Sequence, residues 1–513
     1  MLFVSDFFFL LPEIYFFLFL NFFLIFGLFF GRSTWFTVEG TRRFSFYRST
    51  VLFPLIIFII LLYLLCKESL LEIDQIYLLN GTLSLTSASQ FFKLILLIFL
   101  FFFIFFAVEY SFLRQLPLGE FMFFCLVSLL GSFFIIGVED FLSFYVFLEM
   151  HSLALYLLAA FSREDRRSSE AGLKYFILGT FSSIFLLFGV TVLYSLTGSL
   201  TFSEISLIIS DLSLVKIQLG YFGALVSGVG VAALFGFGFI LLGLFFKLGV
   251  FPFYMWLPDV YEGSPTTSTA FFSVFSKLPI IVFLFQFMVK LDLFPFFEEL
   301  QSVIMFMGGA TAIVGVFGAL IQQNIKRFLA YSGFTHIGFI LISLGTFSLN
   351  GIEASFIYLF VYMFLSINFF GLFLSVENEE GEFHFLSDLS SVFHSYPSIG
   401  FCFILNLFSM AGIPPLIGFF SKFYLIYSLF SSGLLVWAGF VIILSGISVF
   451  YYIRIVRLMV FDLRQNREQY TVFSFVGPSG FFNFLLTSLN VLGFVFFFFV
   501  LRFASTNIYA YFF

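Results

Sequence analysis

Along this chain, apolar residues run in long blocks, and the polar residues collect in short pauses between them. About 20 apolar residues in helical form cross the hydrocarbon core of a bilayer. At that length the pattern predicts fourteen spanning helices, near 6–30, 50–66, 90–109, 119–137, 140–160, 170–194, 221–247, 266–289, 301–322, 327–347, 351–375, 397–430, 433–456 and 481–503. The seventh continues brokenly to about 262 through Pro252, and the overlong twelfth contains Gly412-Ile413-Pro414-Pro415. Proline withholds a helix donor and clashes with the turn before it, so both read as discontinuous helices of the kind that line binding sites in transporters. The predicted fold class is all-α, a polytopic membrane protein in which no stretch between spans is long enough for a soluble domain.

An even number of spans puts both termini on one side, and the basic residues decide which. Fourteen Lys and Arg follow odd-numbered helices, among them Arg42, Arg43, Arg166, Arg167, Lys326, Arg327 and Arg454, against five on the other side and its edges: Lys67, Lys93, Lys216, Lys290 and Arg502. The termini are therefore expected to face away from the cytoplasm or matrix. The acidic loop from Glu377 to Glu382 reads as solvated, and Asn80-Gly81-Thr82 matches a glycosylation triplet that reads as chance in an organellar or bacterial chain.

Composition agrees. With 61% hydrophobic and 10% charged residues, the chain is far from a soluble domain, where about a quarter of residues are charged. Its 95 Phe stand mostly where other membrane proteins use Leu, Ile or Val, a bias that points weakly to an A+T-rich organellar genome. The net charge of -6 is spread over loops with no continuous basic patch, which sets nucleic-acid binding aside. Cys66, Cys125 and Cys402 are far apart, with no CxxC pair or Cys/His cluster to hold a metal or redox centre. The first apolar run is too long and aromatic for a signal peptide, and it lacks the Arg-rich character of a transit peptide.

Of the 23 Lys and Arg, four remain inside apolar runs: Lys174, Lys247, Lys277 and Lys422. Lys277 is about twelve residues past Pro265, some 18 Å along a helix at about 1.5 Å per residue and so near mid-membrane. Insertion scales charge about 2.5 to 3.5 kcal/mol for each such residue, on the order of 10 kcal/mol for four unpaired ones. Glu149, read as the only carboxylate well inside a span, is the natural counter-charge. Burial disfavours the charged form of an unpaired amine, and an amine so poised can take up and release protons. Snorkelling to the interface is the competing explanation, strongest for Lys174 near its loop. Lys247 precedes Pro252 and Lys422 follows Pro414-Pro415, so titratable amines adjoin backbone that must line a hydrated cavity or protein. His336, among Ser332, Thr335 and Gly338, reads as a relay member, with a packing histidine as the alternative. His151, two residues from Glu149 and on another face, does not, and Glu13 reads as interfacial.

Four stretches resemble a known family: Lys247-Leu-Gly-Val-Phe-Pro-Phe-Tyr-Met-Trp-Leu-Pro-Asp-Val-Tyr-Glu-Gly-Ser-Pro, Glu170-Ala-Gly-Leu-Lys174-Tyr-Phe-Ile-Leu-Gly, Leu329-Ala-Tyr-Ser-Gly-Phe-Thr-His336-Ile-Gly and Met410-Ala-Gly-Ile-Pro-Pro-Leu-Ile-Gly-Phe-Phe-Ser-Lys422. They are similar to the antiporter-like membrane subunits of NADH dehydrogenase, respiratory complex I. The Asp259-to-Pro265 connector and Lys174 single out the subunit 2 branch. The resemblance covers roughly 139–424; the N-terminal third matches by topology more than by motif. It implies two inverted five-helix repeats, helices four to eight (119–290) and nine to thirteen (291–470), between an N-terminal three-helix segment (1–118) and a C-terminal helix (471–513). It also implies roles: Glu149 and Lys247 as a charge pair, Lys174 as this branch's additional lysine, Lys277 as the central relay lysine, His336 on the axis, and Lys422 toward a neighbouring subunit. Lipid and the other membrane-arm subunits would be the partners. FMN, iron-sulfur clusters and ubiquinone would reside in partner subunits, because this chain carries no motif for them. A proton-translocating subunit of the mitochondrial inner membrane is the expectation. A cation/proton antiporter subunit and a scaffold with a decayed channel are its rivals.

Overall fold

The polar pauses turn out to be helix caps. Asp140 accepts a hydrogen bond from the Ser143 N–H at 2.9 Å, Asp165 from Arg167 at 3.1 Å, Asn324 from Lys326 at 3.0 Å and Ser348 from Gly351 at 3.1 Å. Each satisfies a donor that the first turn of a helix leaves without a partner. A computed structural model describes residues 9–31, 58–62, 64–65, 76–113, 116–217, 228–290, 297–378, 384–461, 470–471, 478–493, 495 and 497. Its helices are α1 (Leu11–Gly31), α2 (Ser87–Leu113), α3 (Leu118–Ile136), α4 (Phe141–Ala159), α5 (Arg166–Thr197), α6 (Phe202–Ile217), α7 (Gly228–Leu248), α8 (Trp256–Gly263) and α9 (Thr266–Phe275). They continue with α10 (Lys277–Lys290), α11 (Phe297–Ile321), α12 (Ile325–Leu344), α13 (Leu349–Leu374), α14 (Pro397–Ala411), α15 (Ile417–Ser431), α16 (Leu435–Phe461) and α17 (Pro478–Val491). Among the described residues, ten helical stretches are long and apolar enough to span a bilayer. Most of the predicted second span lies outside the described residues, apart from helical turns at 58–62 and 64–65.

Both predicted breaks are present. Gly249 (φ 72°) ends α7 before α8, and Gly412 (φ 87°) ends α14 before α15; a left-handed residue without Cβ strain is what glycine supplies. The predicted eighth span is one helical stretch, Thr266–Lys290, in which α9 and α10 meet at Ser276, whose φ of -74° and ψ of -24° stay helical. The helix α6 is a departure. Its apolar run is too short and too mixed with Ser, Asp and Glu to register as a span.

Two ends of the bundle can be told apart. At one, strands β1 (Ile76–Leu78) and β2 (Leu83–Leu85) pair antiparallel around Asn80-Gly81, both with positive φ; the supposed glycosylation triplet is thus a hairpin turn. Ser84 and Glu139 join this hairpin to the α3–α4 corner by backbone hydrogen bonds, and Lys290 pairs with Glu139 there. The opposite end carries Arg167, Asn324 and Arg327. Between them α13 runs through the centre, with 94% of its most apolar window buried. Close contacts fix its neighbour α12, because a Cβ on Gly338 would stand 2.6 Å from the Gly308 carbonyl oxygen of α11. Such small-residue contacts let helices approach where no hydrophobic effect pulls them together.

Two charges differ from the sequence reading. Glu13 is buried, not interfacial, and Lys93, counted with the loops, is buried too; they form an ion pair between α1 and α2. Pairing offsets desolvation, and the partner lies 80 residues away, beyond what local pattern reveals.

Candidate functional site

The first break carries Lys247 in the last turn of α7. Its Nζ donates to Tyr156 Oη at 2.9 Å and stands 3.9 Å from Glu149 Oε1. Glu149 and Tyr156 are seven residues apart on α4, and so share a face. Trp256 Nε1 donates to the Phe246 carbonyl at 3.1 Å, an oxygen that also accepts the Gly249 N–H at 3.0 Å.

Lys277 is the first residue of α10, midway along the helical stretch Thr266–Lys290, and is buried. Its Nζ is hydrogen-bonded to Tyr362 Oη and lies 4.5 Å from that ring's centroid, so both the hydroxyl and the π-face compensate the ammonium. His336, also buried, is held from both sides: Nδ1 is 2.9 Å from Tyr358 Oη and Nε2 3.1 Å from Tyr452 Oη. A neutral imidazole between two hydroxyls donates at one nitrogen and accepts at the other. Lys422 is buried at the second break, where its Nζ donates to the carbonyls of Met410 (3.1 Å) and Ala411 (2.7 Å), the last of α14. A cation there meets the negative end of the helix dipole. Gly412 leaves room for it, since a Cβ would stand 2.8 Å from Lys422 Cδ.

A cavity of about 20 Å³, bordered by Ser332, His336, Tyr362, Ser366 and Met410, joins these groups. That is room for about one water. Its lining includes the tyrosine that binds Lys277, His336, and the residue whose carbonyl binds Lys422.

Lys174 is set apart from this buried row. Its side chain is 43% exposed and pairs with Glu170 at 2.7 Å and Asp259 at 3.5 Å. Asp259 is shared with Arg327 Nη2 at 2.6 Å, and Arg327 Nε also meets Glu262. His151 binds the Ser128 carbonyl at 2.8 Å through Nδ1.

Sequence reasoning passed over the tyrosines. In a chain of 95 Phe and 23 Tyr, where Phe fills apolar positions by default, a Tyr inside a span marks a hydroxyl that does something. Tyr156, Tyr358, Tyr362, Tyr451 and Tyr452 all follow that rule. Sequence reasoning also did not single out Glu353, a second buried carboxylate, which stands near the start of α13 and is 3% exposed. Among the described residues, no group of three or more His, Cys, Asp and Glu is placed to hold a metal ion.

Broken apolar helices around a row of buried amines and hydroxyls define a membrane protein built to handle protons or small cations. Residues 138–448 match the family described as NADH:quinone oxidoreductase/Mrp antiporter, TM, and the chain belongs to it. Its relatives include NADH-quinone oxidoreductase subunit N of Parvibaculum lavamentivorans, 35% identical over 75% of this chain and 76% of that one. Subunit N of Bartonella bacilliformis is 35% identical over 88% of each, and NADH-ubiquinone oxidoreductase chain 2 of Marchantia polymorpha is 38% identical over 66% of each. In fold the chain is similar to a chain of respiratory complex I from Thermus thermophilus, with TM-score 0.68 and 23% identity over 93% of this chain and 98% of that one. A chain of the Mrp complex from Dietzia gives TM-score 0.71 and 18% identity over 90% and 93%.

Proposed function

We propose that Glu149, Lys174, Lys247, Lys277, His336 and Lys422 carry protons through this chain as a membrane-arm subunit of NADH:quinone oxidoreductase. The chain is a subunit of that enzyme complex, and its work is proton translocation; the redox chemistry belongs to its partners. The observation that carries this reading is the series of buried contacts: Lys247 to Tyr156, Lys277 to Tyr362, and His336 between Tyr358 and Tyr452. A cavity large enough for one water lies next to the last two. Lys174, at the arginine-bearing end, is where protons enter. Moving Lys247 away from Glu149 changes the field at Lys277, whose proton then passes by way of His336 to Lys422.

The breaks at Pro252 and at Pro414-Pro415 supply the free carbonyls and the hinge. The two inverted repeats, helices four to eight and nine to thirteen, would each hold one half of the route. The Phe bias and the likeness to the Marchantia chain support the mitochondrial inner membrane, with both termini toward the intermembrane space; the bacterial relatives support the plasma membrane. FMN, iron-sulfur clusters and ubiquinone would be held by partner subunits.

Replacing Lys277 with Met in the intact complex and measuring NADH-driven proton translocation tests the reading, which predicts a loss of transport with assembly retained. Wild-type transport would favour a scaffold. A cation/proton antiporter is the second reading, favoured by the fold shared with the Mrp complex chain. Co-purification with flavin and iron-sulfur subunits decides against it.

A further inference from the structure

Glu353 has no place in the relay so far. It lies four residues into α13, is 3% exposed, and accepts a hydrogen bond from Tyr424 Oη to Oε2 at 2.7 Å. Its other oxygen, Oε1, is buried with no hydrogen-bond partner. An ionised carboxylate with an unsatisfied oxygen inside a span is costly. Picking up a proton removes the charge and most of that cost.

Its position gives that proton a source and an outlet. Tyr424 is on α15, two residues beyond Lys422 and on another face of that helix, so its bond to Glu353 brings the carboxylate beside the helix of the last relay lysine rather than against the lysine itself. The depth is set by Phe356, three residues further along α13, whose ring centroid is 4.7 Å from that of Phe92 in the second turn of α2. That turn directly follows the β1–β2 hairpin, which puts Glu353 toward the hairpin end of the bundle. Past it, in the turn before α13, the hydroxyls of Thr346 and Ser348 are 3.1 Å apart and only half-buried.

We propose that Glu353 receives the proton released by Lys422 and delivers it to water at the hairpin end, with Tyr424 orienting the carboxylate. The Lys422 ammonium gives its proton to an intervening water, which passes a proton on to the Glu353 carboxylate, leaving a neutral amine and a neutral acid. The acid's O–H bond then breaks to water beyond Ser348, and the carboxylate is restored. No oxidant or reductant takes part. This inference rests on the relay reading above, and it adds an exit residue to it.

The test uses the intact complex in sealed vesicles, with assembly checked by native electrophoresis and flavin content. Four variants are compared for NADH-driven proton translocation: Glu353→Gln, Glu353→Asp, Tyr424→Phe and Lys277→Met. Glu353→Gln is expected to lose at least about fivefold, less than the roughly 10²-fold typical of removing an obligatory proton-transfer group, because water can bypass an exit residue. Glu353→Asp, which keeps a titratable oxygen, retains most of the rate, and Tyr424→Phe falls about twofold to threefold. Wild-type transport by Glu353→Gln beside an impaired Lys277→Met overturns the exit and leaves the relay standing, whereas wild-type transport by Lys277→Met removes both. Equal losses in Glu353→Gln and Glu353→Asp would mean a packing role and also overturn the exit. Should Glu353→Gln fail to assemble, Tyr424→Phe decides, and an unchanged rate there overturns the proposal.

Discussion

The two foreseen breaks solve one problem by different means. At the first, Lys247 faces a tyrosine hydroxyl and, 3.9 Å away, the carboxylate of Glu149. At the second, Lys422 is held by two backbone carbonyls at the end of α14, and no ion pair with it is found among the described residues. A side-chain carboxylate can move or be neutralised, so the state of Lys247 answers to events at Glu149. Helix-end carbonyls are fixed in place, and Lys422 answers only to whether a proton is present. One break is built to receive a signal and the other to hold and release charge.

The sharpest way to break this comparison is to keep the charge at Lys422 while forbidding its release. Arginine can reach the Met410 and Ala411 carbonyls but does not deprotonate. Lys422→Arg is therefore expected to assemble and to lose roughly 10²-fold in proton translocation, as measured in reconstituted vesicles. Transport within twofold of wild type would show that Lys422 is a structural cap on α14. Next in size is Glu149→Gln, which removes the counter-charge that only the first break has. A loss of about tenfold is expected, about 1.4 kcal/mol against a nominal pair energy of about 4 kcal/mol at an intermediate dielectric. Glu149→Asp should recover part of it. If Glu149→Gln transports normally, the contrast between the breaks has no functional content.

Which features were legible follows from the range over which each is encoded. The spans and the breaks at Pro252 and Pro414-Pro415 depend on residues a few positions apart, and among the described residues ten stretches of spanning length and both breaks are found. The placement of Lys247, Lys277, His336 and Lys422 in the interior was legible for a similar reason, since charge inside an apolar run is a local anomaly. What the pattern could not supply was pairing. Glu13 meets Lys93, Tyr156 meets Lys247 and Tyr362 meets Lys277 across separations of 80, 91 and 85 residues, and only packing brings them together. Glu353 was missed because it stands near the start of its helix, where a carboxylate reads as an interfacial residue until α2 and α15 are seen to cover it.

The tyrosine partners sharpen the comparison with a smaller effect. Tyr362→Phe removes the hydroxyl from Lys277 and leaves the ring whose centroid lies 4.5 Å from its Nζ. A hydrogen bond to a charged group contributes about 1.5 to 3 kcal/mol, part of which the ring face still supplies. A loss of about threefold to tenfold in translocation is expected, with amounts of assembled complex unchanged. No effect would mean that the Tyr362 hydroxyl plays no part in moving the Lys277 proton.

Smallest of all should be Lys174→Ala. With a side chain 43% exposed and paired with Glu170 and Asp259, Lys174 on the proposed route would gather protons without being their sole entrance, and water could replace it. The pair with Glu170 is screened like any surface pair. The expected change in translocation is less than about threefold, smaller at high salt, and Arg327 still holds Asp259. A loss as large as that of Lys422→Arg would place Lys174 inside the obligatory route, and would mean that its exposed face is covered in the assembled complex.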